Sequence, residues 1–410
     1  MGLAAKNKRK LNVKLALIIF FTLFVSQETI LFGTNSDLRF FNFGLAVYLL
    51  LAGLCVLKIN KRRFKGKSWL FAILLLILLS MIMNFDVTGG VLLQMSSIII
   101  GAYIASTNSL DDFLKTFEQL FYYLSWASIG VYVLYIIVPG FFAGFPIITV
   151  STGPSYIFTG VGNIDTRPLG VLRNMSFFRE PGMFAVFLTF ATSVCLFYYD
   201  RLPKKHLIVY IVATITTIST AGYVLMLLLL LVYFLSKRSF KYSIILSFFL
   251  LFLLILYQNL KDEMIFLDTF GKFDSDSDKY LSTVSRLASF TVPLYIIAEK
   301  PFFGACLTES VNSFMRISRV LYHSEIDPAG NATNTILGIT AAYGIPIGVL
   351  FFNMLYRFAR RLLNRKVPRI VVFSVFVLLF LALSNEDIRY SIFFSAMLFY
   401  GIDSNVYKNK

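Results

Sequence analysis

The chain has 410 residues, of which 57% are hydrophobic and only 15% charged, with 44 Phe and 22 Tyr. No soluble globule of this length has an interior that hides so much apolar surface, so a water-soluble fold is excluded and a polytopic membrane protein is expected. The net charge of +16 does not indicate nucleic-acid binding: Lys and Arg are dense at 6–14, 58–67, 201–205, 237–241 and 357–369 and sparse in the connections between, as the positive-inside rule requires.

Apolar runs approaching or reaching the ~17–25 residues of a helical span fall at 14–32, 40–58, 68–84, 88–106, 119–141, 182–199, 207–220, 222–236, 240–258, 333–356, 370–384 and 389–403. The predicted fold is all-α: one membrane domain over 1–410, a bundle of about twelve transmembrane helices with both termini cytoplasmic. The first run follows a basic segment without a small-x-small cleavage site before Gly33, so it is expected to stay as an anchor. Gln27 and Glu28 lie toward its outer end, and ionisable groups inside a span are functional candidates. The run 207–236 is expected to turn within "ISTAGY" (218–223), which keeps both flanking basic clusters on one side. Cys55, Cys195 and Cys306 have neither disulfide nor metal spacing.

Two connections are long, 140–181 and 259–332, and both are predicted on the outer side, where long structured loops carry binding and catalysis. The first, rich in aromatics, Gly and Pro, reads as a re-entrant or interface-lying segment. The second becomes amphipathic through "STVSRLASFTVPLYIIAEKPFFG", which predicts helices along the membrane surface. Its "DSDSD" (274–278) resembles the start of a calcium loop, but Lys279 stands where the turn needs Gly and Ser285 where it needs Glu. No metal or other cofactor is implied.

The outer connections hold Arg167, Arg173, Arg179, Arg286, Arg316 and Arg319, which points to an anionic ligand, because the guanidinium donates two aligned hydrogen bonds to phosphate and stays charged when desolvated. In "FFREPGMF", Glu180, Pro181 and Gly182 mark a helix start whose free N–H groups suit an anion. His323, the one histidine on the outer side, lies near Glu325 and Asp327 and is a candidate general base; Glu180 is the other. "NEDIR" (385–389) is a short outer turn that either lines the site or is solvated. Asn174 and Asn331 each begin a glycosylation sequon.

Four stretches, "FFREPGMFAVFL", "ISTAGYVLMLLLLL", "STVSRLASFTVPLYIIAEKPFFGACL" and "NATNTILGITAAYGIPIGVLFF", together span 177–352. In order and spacing they resemble the bacterial O-antigen and capsule polymerases (Wzy-type) and the related O-antigen ligases. The resemblance implies a glycosyltransferase of the bacterial plasma membrane. Its donor would be a polyprenyl-pyrophosphate-linked oligosaccharide, its surroundings the lipid bilayer, and its neighbours other polysaccharide-assembly membrane proteins. It carries over Arg179 and Glu180, the charged pair before the helix start, and Arg286, with the outer-face arginines binding the pyrophosphate. Arg173 is a further candidate for that binding from its place in the same connection, and with Glu180 or His323 as the base the candidate catalytic set is Arg179, Arg286, Glu180 and His323. Ligases of this kind typically carry His-Asn where this chain has Thr333-Asn334, which favours a polymerase. A ligase passing finished polymer to another acceptor, or a flippase for the lipid-linked unit, are the alternatives.

Overall fold

In a computed structural model of the chain, residues 12–26, 28–29, 32, 38–59, 65–145, 147–149, 155–157, 159–165, 172–237, 280–322, 332–363 and 367–402 are described. They form helices α1 (Val13–Phe24), α2 (Leu38–Ile59), α3 (Lys67–Asn84), α4 (Gly89–Thr107) and α5 (Leu110–Ile137). A 3-10 turn (Pro139–Gly144) and strands β1 (Ile147–Thr149), β2 (Ser155–Ile157), β3 (Asn163–Asp165) and β4 (Arg173–Ser176) follow. Then come α6 (Pro181–Phe197), α7 (Lys204–Thr217), α8 (Thr220–Ser236), α9 (Tyr280–Glu299), α10 (Cys306–Tyr322), α11 (Thr335–Tyr343), α12 (Ile345–Leu362), α13 (Arg369–Asn385) and α14 (Ile392–Ile402).

Four helical segments are long and apolar enough to cross a membrane: Asn42–Ile59, Lys67–Asn84, Gly89–Thr107 and Leu110–Ile137. The helices α1, α6, α8, α13 and α14 are apolar but shorter. Large apolar side chains stand exposed on α2 and α3, Leu50, Leu57 and Phe71 among them, as hydrocarbon allows and water does not. The chain is a predominantly helical integral membrane protein.

Every residue of α6 and of α14 is buried. The first is enclosed by α5, α7, α8 and α13, and the second packs on α4 and α12. Gly101 makes the α4–α14 approach possible, since a Cβ there would lie 2.6 Å from the Ala396 backbone nitrogen. Between α5, α6 and α14 the phenylalanines form a stacked column, with ring centroids at 4.4 Å for Phe117 and Phe393, 5.8 Å for Phe121 and Phe187, and 4.8 Å for Phe178 and Phe187. Much of the Phe content is thus used to fix helix register by ring shape.

The structure departs from the expected fold in three places. The connection 140–181, expected as a re-entrant or partly helical segment, holds an antiparallel sheet in the order β1-β2-β3-β4. Its strands of three and four residues are too short for period-two alternation to register against the aromatic background. The run 333–356, expected as one span, is two helices parted at Gly344, whose φ of 90° only glycine adopts without strain. There the Ile345 N–H donates to the Pro301 carbonyl at 2.7 Å and the Ala305 N–H to the Ala341 carbonyl at 2.9 Å, docking the "PFFG" turn on the break. The first run also ends early: α1 stops at Phe24, so Glu28 lies in the turn beyond the helix. The expected break in 207–236 is present, with Ile218 left-handed at φ 48° and the Ser219 hydroxyl accepting from the Gly222 N–H as the cap of α8. The run 240–258, "DSDSD", Gln27, His323 and Asn331 lie outside the described residues.

Candidate functional site

The site is assembled at the ends of helices from five distant segments. The turn after α1 comes first. Thr29 pairs with Phe178 in an antiparallel bridge, and the Arg179 N–H donates to the Glu28 carbonyl at 2.8 Å. The start of α6 therefore lies against the end of α1, and both are fixed by backbone bonds. Pro181 occupies the first turn of α6 and Glu180 its cap position, with no side-chain capping bond, at the helix end whose dipole favours an anion.

The third segment is the turn 385–391 between α13 and α14. Gly182 lets the turn come close where it meets α6: a Cβ there would meet Glu386 Oε1, so that side chain would have to shift, and would come within 3.5 Å of Asn385 Nδ2. Residues 332–335 clamp the turn from the other side. Asn334 Nδ2 donates to Ser384 Oγ at 2.9 Å, Thr335 Oγ1 donates to the Glu386 carbonyl at 2.9 Å, and the Ile388 N–H donates to Thr335 Oγ1 at 3.0 Å. Arg389, 5% exposed, pairs with Asp387 at 2.7 Å. The fifth segment is α9, from which the Arg286 guanidinium donates to Asn385 Oδ1.

Charge is concentrated here. Burial alone would lower the pKa of Arg179, but Glu180, Glu386, Asp387 and Glu28 outweigh it and hold the guanidinium more firmly protonated than usual. The same opposition, led among the favourable contributions by Asp387, raises Arg389. The Glu28 carboxyl, 1% exposed, is pushed up to about 7 by burial, against a smaller pull from Ser26 and Arg179. Among the described residues Glu28 Oε2, Arg179 Nε and Asn385 Nδ2 are buried side-chain atoms without a hydrogen-bond partner. Such groups cost free energy unless a ligand or mechanism uses them, and their clustering singles out this place.

A cavity of about 410 Å³ opens beside Arg286, between α8, α9 and α13. Val224, Leu225 and Leu228, Leu287 and Phe290, and Leu381 make its apolar wall; Thr220, Arg286, Ser384 and Asn385 sit at one end, where α8 begins and α13 stops. A charged headgroup at the polar end and a hydrocarbon chain along the wall fit this arrangement.

The sequence-derived candidates fall unevenly. Arg179, Glu180 and Arg286 converge on the turn 385–391. Arg173 on β4 donates from Nε to the Thr217 carbonyl and from Nη2 to the Ile218 carbonyl, each at 3.2 Å, so it caps the end of α7 two residues before Thr220. Arg316 and Arg319 lie on α10, Arg316 in an exposed pair with Glu299 at 3.3 Å, worth little in solvent. Asn174 is buried and bonded to Ser128 and Thr216, which removes it as a glycosylation acceptor. "NEDIR" is not simply solvated: Glu386 and Arg389 are buried, and Asn385 lines the cavity. Among the described residues no group of three or more His, Cys, Asp and Glu is placed to hold a metal.

A search of curated proteins finds no match to this chain. The match to a family model begins inside α7, takes in α8 to α11 with Arg286 and Asn334, and ends inside α12, leaving out Arg179 and the turn 385–391. Over these residues, 206–352, the chain is similar to the family described as O-antigen ligase.

Proposed function

We propose that this protein is a polysaccharide polymerase at the outer face of a bacterial plasma membrane, moving a polyprenyl-pyrophosphate-linked glycan chain onto a lipid-linked repeat unit. The observation that carries the reading is the placement of Arg286 and Asn385 at the polar end of an apolar groove, next to Glu386, whose carboxylate acts on Arg179. A pyrophosphate joined to a long isoprenoid has this shape and charge. About twelve spans with both termini cytoplasmic belong to the same proposal, resting on the cation distribution.

In the reaction, an acceptor sugar hydroxyl attacks the anomeric carbon of the donor glycan. The bond from that carbon to the pyrophosphate oxygen breaks, and the polyprenyl pyrophosphate leaves with the electron pair. Negative charge grows on the leaving group in the transition state, so fixed guanidiniums at Arg179 and Arg286, with the N-terminus of α6, lower the barrier more than they strengthen ground-state binding. Arg173 contributes from the edge. The acceptor proton passes to Glu180 or His323.

The ligase reading shares donor and leaving group and differs in acceptor; the family description of residues 206–352 favours it. Against it stands Thr333, whose backbone N–H is tied to Ser289 Oγ at 3.0 Å and whose side chain offers no imidazole. The test is the length of lipid-linked and surface glycans in a strain lacking the gene. Single repeat units without a ladder are expected of a polymerase. Long chains accumulating on the lipid carrier would mean ligase, and single units held on the inner leaflet would overturn both for a flippase.

A further inference from the structure

Asn385 closes α13 and lines the polar end of the cavity between α8, α9 and α13. It is 7% exposed, and its two polar side-chain atoms are used unequally. Oδ1 accepts from the Arg286 guanidinium, while Nδ2 has no hydrogen-bond partner. The pairing with Arg286 settles which way the amide faces: a flipped group would set Nδ2 against a guanidinium, which has no acceptor to offer it. A buried donor is therefore left without an acceptor, a condition that costs free energy unless a ligand meets it.

The amide is held where it stands. Ser384 Oγ accepts from Asn334 Nδ2 at 2.9 Å and the Glu386 carbonyl accepts from Thr335 Oγ1 at 2.9 Å, so the residues on both sides of Asn385 are clamped from one segment. Nδ2 lies against the first turn of α6, 3.5 Å from where a Gly182 Cβ would stand, and Oδ1 meets α9 through Arg286. The amide thus sits between two features that favour an anion, a guanidinium and a helix N-terminus. A neutral amide can accept from the arginine with one atom and donate to a phosphate oxygen with the other. A carboxylate in its place would hold the arginine and repel the phosphate.

We propose that Asn385 is a donor-binding residue: Nδ2 donates to a pyrophosphate oxygen of the lipid-linked donor, while Oδ1 holds Arg286 in position for the same group. The inference rests on the donor reading above and adds to it a contact from an uncharged side chain. As charge grows on the leaving pyrophosphate this hydrogen bond strengthens, so Asn385 acts with the arginines on the transition state.

The experiment measures binding of a short-chain prenyl-pyrophosphoryl N-acetylglucosamine to the purified full chain, for wild type, Asn385→Leu, Asn385→Asp, Arg286→Ala and Asn385→Leu combined with Arg286→Ala. Asn385→Leu should weaken binding about 10–100-fold, the loss of a hydrogen bond to a charged group. It should also weaken binding when Arg286 is already Ala, because the Nδ2 contact does not pass through Arg286. Asn385→Asp, which keeps an acceptor for Arg286, should bind more weakly than Asn385→Leu. Solid-state NMR of wild type in proteoliposomes, with nitrogen label only in the asparagine side chains, should show one amide signal dephased by the phosphorus of the bound probe. That readout stands even if a variant misfolds. An Asn385→Leu affinity equal to wild type, an Asn385→Leu effect that vanishes in the Arg286→Ala background, wild-type affinity in Asn385→Asp, or no dephased asparagine signal at saturating probe overturns the proposal. No binding of the probe by wild type overturns instead the donor reading beneath it.

Discussion

Glu118 and Glu28 are both buried to within 1% of full enclosure, Glu118 beside the connection after α6 and Glu28 beside its start, and their surroundings differ completely. Glu118, near the start of α5, accepts from Tyr210 at 2.8 Å and Tyr199 at 3.1 Å and meets His206 Nδ1 at 2.7 Å, while His206 stacks on Tyr122 at 3.9 Å. Each of its oxygens has a partner, and α5 is tied to the α6–α7 connection. Glu28 has an oxygen without one, in a cluster where Arg179 Nε and Asn385 Nδ2 share that condition. A buried polar group is tolerated when its bonds are complete; where completion fails repeatedly in one place, a ligand is the physical reason to keep the residues. The α5–α7 end is thus completed within the fold, and the turn 385–391 end is where we place the chemistry.

Several substitutions test that division, beginning with the largest effect. Arg179→Ala should lower glycan transfer by about 10²–10³-fold, the loss seen on removing one preorganised charge donor, with the protein inserted and its melting midpoint close to wild type. Glu118→Ala should do the reverse. Removing one partner of a buried network costs about 3–5 kcal/mol, so thermal unfolding in detergent should shift down strongly while turnover per folded molecule holds. Gly182→Ala, which pushes a methyl against the Glu386 carboxylate, should cut turnover by about tenfold through displacement of that side chain, on the scale of a small misplacement at a reacting centre. Leu228→Trp should fill the groove and raise KM for a long-chain donor while sparing a short-chain one, a difference of roughly 1–3 kcal/mol for an overpacked site. Arg173→Ala should be mildest, about 1 kcal/mol of stability from two lost capping bonds.

The sequence carried the local parts of this arrangement and missed those made by distance. "REPG" announced the start of α6 because proline and a charged pair interrupt an apolar run, and "ISTAGY" announced the α7–α8 break. Gly344 before Ile345-Pro346 carried a comparable signal for the α11–α12 break, hidden by the hydrophobicity on both sides. The β-sheet was invisible because its strands are shorter than the period needed to recognise them. Glu28 was noticed as an ionisable residue near a span, yet its contact with Arg179 depends on pairing across 150 residues of chain, which no local pattern encodes. The same holds for "NEDIR": only the clamp from Asn334 and Thr335 shows why charge there is buried.

The most direct measurement is transfer in proteoliposomes containing the purified chain and a lipid-linked repeat unit, with product length and released polyprenyl pyrophosphate followed together. The account predicts that wild type yields a ladder and one released carrier per bond formed, and that Arg179→Ala, correctly inserted, yields neither. A ladder of wild-type length from Arg179→Ala would contradict the assignment of this site to the leaving group.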